Sequence, residues 1–206
     1  MNFEVLDNLF QAIVLSLSFV TAAVLALRMK ERRLLILSFA YICFAMGTIY
    51  WLLHIVIMGT VPQVFYVAEV SWGASYLFYL SLQILRSEKM KVSFSVIPAL
   101  ATAWAVWYII RYHILGPSQV LADLCAVIMG ATIYIASLRL IRKMPGWRTD
   151  LQLLIIITLQ IVLYVISWRM PDFRHFNLYF AIDIALTLSF AGLLPLICRE
   201  VRNDLH

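Results

Sequence analysis

Three acidic residues interrupt the most apolar stretches of this 206-residue chain. Glu69, Asp123 and Asp183 each stand within a run of apolar residues that is long enough to cross a bilayer. An acid near the centre of a membrane helix costs about 2.5–3.5 kcal/mol on insertion scales, and such residues usually face the interior of a bundle or a wet cavity. Their carboxyl groups predict a site for a cation or a proton.

An aromatic stripe continues from the first of these acids. Trp72, Tyr76 and Tyr79 follow Glu69 at spacings that place all four side chains on one face of a helix. Carboxylates beside aromatic rings suit a cationic or amine ligand, because both the charge and the ring quadrupole attract it. Ordinary packing of aromatic rings between helices would produce the same spacing and stays open as the alternative.

The composition indicates which elements position these residues. Hydrophobic residues make up 64% of the chain and charged residues 13%, whereas a soluble domain is about half apolar and a quarter charged. The solvent for most of this surface must therefore be lipid. We predict an all-α fold: an integral membrane bundle of seven transmembrane helices that forms a single domain over residues 1–206. The helices are predicted at residues 9–27, 34–57, 64–85, 92–110, 118–141, 151–168 and 176–198.

The basic residues predict the orientation of this bundle. All but three of the 16 Lys and Arg residues follow the first, third, fifth and seventh predicted helices. The exceptions are Arg111, Arg169 and Arg174. Because cytoplasmic loops carry the excess of basic residues, the N-terminus is expected outside and the C-terminus in the cytoplasm.

This orientation brings the large polar side chains to similar depths in the outer half of the bundle. The sequence therefore predicts an outward-facing ligand pocket, with seven candidate lining residues: Glu69, Trp72, Asp123, Asp183, His54, Gln160 and Tyr76. Structural roles stay open for the acids. Asp123 would lie among lipid headgroups if its helix began later, and Asp183 would pair with one of the three outer arginines. Glu69 would be neutral and hydrogen-bonded to Ser71 or to a tyrosine.

Several classes of protein lack support in the sequence. The three cysteines form no C-x-x-C pair and lie at membrane depth, which argues against a disulfide framework or a zinc site. No metal and no cofactor is expected, and no lysine lies within a predicted helix, which excludes a retinal Schiff base. No G-x-S-x-G, H-E-x-x-H or glycine-rich phosphate loop occurs, so enzyme activity is not indicated. The basic residues form short clusters between helices, which does not suggest binding to nucleic acid.

The polar outer half and apolar inner half favour a receptor-like sensor of a small molecule or peptide from the outer side. Its output would pass to a protein partner, and its location would be a cell membrane, most simply a bacterial plasma membrane. The alternatives are a small-solute carrier, cationic or proton-coupled, and an accessory subunit of a membrane complex. A carrier would need a site near the midplane with access from both faces.

Overall fold

The computed structural model describes residues 3–60, 62, 66–88, 90–91, 93–112, 119–170 and 173–204. Every regular element in these residues is an α-helix, which confirms the predicted all-α bundle. The helices are α1 (Phe3–Met29), α2 (Arg32–Met58), α3 (Tyr66–Arg86), α4 (Val96–Tyr112), α5 (Gln119–Ile141), α6 (Trp147–Ser167), α7 (Leu178–Ala191) and α8 (Leu193–Asp204).

Within the described residues, five helices are long and apolar enough to cross a membrane. They are α1, α2, α5, α6 and the span Leu178–Asp204, in which α7 and α8 run together. The other two predicted spans differ: α4 has 17 residues, and α3 is long enough but carries Glu69, Gln83 and several serines and tyrosines among its apolar residues. Large apolar side chains cover the outer surface, with Leu27 76% and Val127 66% exposed. Such a surface is stable in lipid rather than in water.

The helices pack as a closed ring with one helix outside it. Going around the ring, α1 packs on α2, α2 on α3, α3 on α5, α5 on α6, α6 on α7, and α7 on α1. Helix α4 lies outside this ring against α5 and α6. Side chains from the six helices of the ring meet at its centre. We refer to the end at which α1, α3, α5 and α7 begin as the N-terminal end, and to the opposite end as the C-terminal end.

Several helices extend beyond their predicted limits. Helix α1 begins at Phe3 instead of residue 9, and α6 begins at Trp147 instead of residue 151. The predicted starts at Val64, Val92 and Ser118 lie outside the described residues. The last predicted helix consists of two helices separated by Gly192, and α8 continues to Asp204. Pro195 contributes to this break because it has no N–H to donate within the helix.

Close packing of α2 against α3 positions the aromatic face of α3. A Cβ atom at Gly47 would lie 2.7 Å from Nε1 of Trp72 and 3.1 Å from the carbonyl oxygen of Ala68. Since any side chain at position 47 would displace the indole, glycine allows the two helices to approach here. Trp72 is thereby held toward the centre of the ring.

Candidate functional site

A cavity of about 370 Å³ lies inside the ring at the N-terminal end. It extends from Glu4 and Phe173 near the helix ends to Gln11 and Phe44 farther in. The seven residues from Glu4 to Gln11 correspond to a depth of about 10 Å along α1. The described residues that line it are Glu4, Asn8, Gln11, Phe44, Trp51, Trp72, Gln160, Leu163, Tyr164, Ser167, Phe173, Tyr179 and Asp183.

Aromatic rings form much of the cavity wall. The ring centroids of Trp51 and Trp72 are 5.9 Å apart, and those of Phe44 and Trp72 are 6.0 Å apart. On the other side, Phe173 meets Tyr179 edge to face with centroids 5.1 Å apart. These rings come from α2, α3, α7 and the segment before α7, so closing the ring of helices is what brings them together.

A hydrogen-bonded network holds the two acidic side chains of the lining. Nε1 of Trp51 donates to Oε1 of Glu4 over 3.2 Å. Nε2 of Gln11 donates to Oδ1 of Asp183 over 3.0 Å, and Oγ1 of Thr48 donates to Oε1 of Gln11 over 2.7 Å. Asp7, which is only 4% exposed, is hydrogen-bonded to Asp183 from behind the lining. Gln11 therefore fixes the orientation of the Asp183 carboxyl group.

A layer of packed aromatic side chains closes the cavity toward the C-terminal end. The hydroxyl of Tyr76 donates to Oε1 of Gln160 over 2.8 Å and so connects α3 to α6. The rings of Tyr79 and Phe190 stack with an interplanar angle of 10°. The hydroxyl of Tyr41 donates to the carbonyl oxygen of Phe190 over 2.7 Å. All three tyrosines are almost fully buried, so this layer separates the cavity from the other half of the bundle.

The seven residues predicted for the pocket occupy different positions. Trp72, Gln160 and Asp183 line the cavity, and Tyr76 lies at its floor through its bond to Gln160. Glu69 is buried beside the cavity without lining it.

The remaining two residues, Asp123 and His54, are not among the described lining residues. Asp123 is exposed on α5, and His54 is half-buried with its Nδ1 2.8 Å from the carbonyl oxygen of Thr60. One open alternative was that Asp183 pairs with an outer arginine. In the structure, Asp183 is hydrogen-bonded to Gln11 and Asp7 of α1. The hydroxyl of Ser71 donates to the carbonyl oxygen of Val67, so it is not the expected partner of Glu69.

Three residues of α1 that the sequence analysis did not include line the cavity. Glu4, Asn8 and Gln11 stand at positions i, i+4 and i+7 and therefore share one face of the helix. This polar periodicity was visible in the sequence, but the first helix was predicted to begin only at residue 9. Trp51, Tyr164 and Tyr179 were also missing from the predicted set.

A buried ion network lies at the C-terminal end. Asp150 is fully buried and accepts hydrogen bonds from Nη1 of Arg86 at 2.7 Å, Nε of Arg139 at 3.1 Å and Nε2 of Gln83 at 2.9 Å. Arg86 also forms a two-bond contact with Glu200, at 2.9 Å for each bond. The hydroxyl of Thr149 donates to Glu200 as well.

This network connects four helices, namely α3, α5, α6 and α8. The sequence analysis used Arg86 and Arg139 only as markers of orientation, whereas in the structure both side chains are almost fully buried. It also described the inner half as apolar, which this network corrects. Arg139 additionally donates to the carbonyl oxygens of Arg86 and Pro145, so its guanidinium group fixes the ends of two helices.

No group of three or more His, Cys, Asp or Glu side chains that could hold a metal ion is found in the described part of the chain. Comparison of the chain with protein-family models, curated proteins and solved structures finds no match.

Proposed function

We propose that this protein is a receptor-like membrane sensor whose cavity at the N-terminal end binds a small organic cation. The observation that carries the proposal is the composition of the lining. Six aromatic side chains and two carboxylic acids line the cavity, and no Lys, Arg or His is among the described lining residues. On the orientation predicted from Lys and Arg, this cavity opens to the outside.

The lining suits a cation for two physical reasons. A cation over the face of an indole is attracted by the ring quadrupole, and this attraction strengthens when water is excluded. Glu4 and Asp183 add carboxyl oxygens to the lining of the same cavity, and these oxygens attract a cation. The volume of about 370 Å³ lies within the range of about 300–1,000 Å³ that is usual for small-molecule sites.

Three helical spans connect the cavity to the ion network at the C-terminal end. Helix α3 carries Trp72 and Arg86, and α6 carries Gln160 and Asp150. The span formed by α7 and α8 carries Asp183 in the cavity and Glu200 in the network. A shift of these helices on ligand binding would change the ion pairs, which supports an output to a partner at that end.

The closed aromatic layer favours a sensor over a carrier. A carrier exposes its site alternately to both faces. Here Tyr41, Tyr76, Tyr79 and Phe190 fill the space below the cavity, and the ion network lies beyond them. A ligand in the cavity therefore has access from the N-terminal end.

The test is binding of choline compared with its neutral isostere, 3,3-dimethylbutan-1-ol. Calorimetry on purified protein in phospholipid-free detergent should show that choline binds at least about tenfold more tightly than the isostere. The two molecules have the same shape, so the difference in affinity reports the charge. Equal binding of the two would contradict a cation site and indicate an apolar pocket only.

Two variants locate the bound choline. Trp51→Leu removes an aromatic face of the cavity, and Asp183→Asn removes a carboxylate. Each should weaken choline binding by about tenfold. Trp147→Leu is the matched control, because this tryptophan is 48% exposed near the C-terminal end, outside the cavity. Equal weakening by Trp51→Leu and Trp147→Leu would contradict this location.

A further inference from the structure

Glu69 is a buried carboxylate beside the cavity whose two oxygen atoms have no hydrogen-bond partner within the described structure. The residue is only 3% exposed. The acids of the cavity differ from it, because Glu4 accepts from Trp51 and Asp183 accepts from Gln11. A buried carboxylate normally has its acceptors satisfied, and an exception in a membrane helix indicates a functional site.

The position of Glu69 relates it directly to the cavity. Glu69 and Tyr76 stand seven residues apart on α3, so their side chains share the face that points to α6. Tyr76 contacts Gln160 there, and Glu69 lies close enough to Tyr164, one turn farther along α6, to interact with it electrostatically. Tyr164 lines the cavity, so this half-buried ring borders both the cavity and the carboxylate.

We propose that Glu69 is the anionic anchor for a ligand whose ammonium group carries N–H donors, and that the ligand reaches it when the side chain of Tyr164 rotates. This proposal rests on the proposed function and specifies its ligand as a primary or secondary amine. A carboxylate has only acceptors, and an ammonium with N–H bonds supplies the missing donors. A quaternary ammonium has none, so it binds to the aromatic wall without using Glu69.

The local backbone supports a charged group at this position. Glu69 lies in the first turn of α3, where the helix dipole stabilises a negative charge. Gly73, one turn later, brings the helix within contact distance of Cys125 on α5. The carboxylate is thus held between α3, α5 and α6, and movement of Tyr164 joins it to the cavity.

The experiment compares ethanolamine with choline, which differ in the methyl groups on nitrogen. Calorimetry in phospholipid-free detergent is performed on the parent protein, on Glu69→Gln and on Glu88→Gln. Glu88 is an exposed acid just after α3, so the control makes the same change of charge outside the cavity. Glu69→Gln should weaken ethanolamine binding by about tenfold or more and change choline binding by less than about threefold.

The outcomes separate this proposal from the proposed function. Retained choline binding by Glu69→Gln shows that the cavity is intact, so a selective loss of ethanolamine supports the anchor. An unchanged affinity for ethanolamine, or equal weakening of both ligands, would overturn the anchor while a choline site could still stand. Failure of the parent protein to bind either cation better than the neutral isostere would overturn the proposed function itself.

A second variant tests the role of the ring without altering the acid. Tyr164→Ala removes the side chain that borders Glu69 and also removes one aromatic face. It should raise the preference for ethanolamine over choline, because access to Glu69 improves while the aromatic contact is lost. An unchanged preference would contradict the rotation of Tyr164.

The same ammonium chemistry occurs in free amines and in the headgroup of phosphatidylethanolamine. Repeating the titration in nanodiscs of phosphatidylethanolamine and of phosphatidylcholine distinguishes these sources. Weaker binding of free ethanolamine in phosphatidylethanolamine than in phosphatidylcholine would show that the headgroup competes for the Glu69 site and would identify it as the occupant. Equal binding of free ethanolamine in both lipids would identify the free amine.

Discussion

Replacing Asp150 by Asn should strongly destabilise the bundle. This carboxylate is 0% exposed and neutralises two guanidinium groups, with Arg86 at 2.7 Å and Arg139 at 3.1 Å. Asparagine retains the shape and one acceptor but loses the charge. Breaking a buried ion pair by removing one partner costs about 3–5 kcal/mol, because the remaining charge stays buried without compensation.

The structure indicates a value near the lower limit of this range. Arg86 keeps its two bonds to Glu200, whereas Arg139 loses its carboxylate and retains only carbonyl oxygens. We therefore expect the free energy of unfolding to fall by about 3 kcal/mol. The assay is reversible unfolding in mixed micelles with increasing mole fraction of sodium dodecyl sulfate, followed by circular dichroism.

Asp204→Asn is the matched control for this measurement. Asp204 forms an ion pair with Arg33 at 2.6 Å, but its side chain is 60% exposed. Exposed pairs contribute at most about 1 kcal/mol, so this variant should lose less than about 1 kcal/mol. Equal losses for Asp150→Asn and Asp204→Asn would refute the argument that burial of the network makes it important for stability.

Three further predictions concern the backbone and the topology. Gly146→Ala should lower the melting temperature more than Gly59→Ala. Both glycines have positive φ, but a Cβ at Gly146 would lie 2.3 Å from Oε1 of Glu200, whereas a Cβ at Gly59 meets open space. Equal decreases in melting temperature would contradict the steric argument. Asn177→Ala should cost about 1 kcal/mol in the same unfolding assay, because its Oδ1 caps α7 by accepting from the backbone N–H groups of Tyr179 and Phe180; no loss would contradict the cap. In a variant without native cysteines, an impermeant thiol reagent on intact cells should label a cysteine at Thr60, and one at Lys91 only after permeabilisation; the reverse pattern would overturn the predicted orientation.

The helices could be predicted from the sequence because the apolar runs and their charged or proline-containing breaks are pronounced. The ends of the helices were harder to predict, because polar residues at those ends are satisfied by distant partners. Glu4 accepts a hydrogen bond from Trp51, and Asp150 accepts hydrogen bonds from three side chains of other helices. A local pattern of hydrophobicity contains no information about such partners.

The candidate site was predicted only in part for a related reason. Depth along each helix follows from the sequence, and Trp72, Gln160 and Asp183, which were chosen by depth, are among the residues that line the cavity. Rotation of each helix about its axis does not follow from depth, so Asp123 was included although its side chain is exposed. The order of helices around the ring, with α4 outside it, is likewise a property of packing and was not available from the chain itself.

Hydrogen exchange at the C-terminal end, measured with and without choline, tests most directly whether the cavity signals to the opposite end. We expect choline, but not 3,3-dimethylbutan-1-ol, to change exchange both at the cavity and in the peptides around Gly146 and Glu200, which lie about 20–25 Å along the helices from Gln160 and Asp183. A change confined to residues near the cavity, with the Gly146 and Glu200 peptides unaffected at saturating choline, would contradict the account.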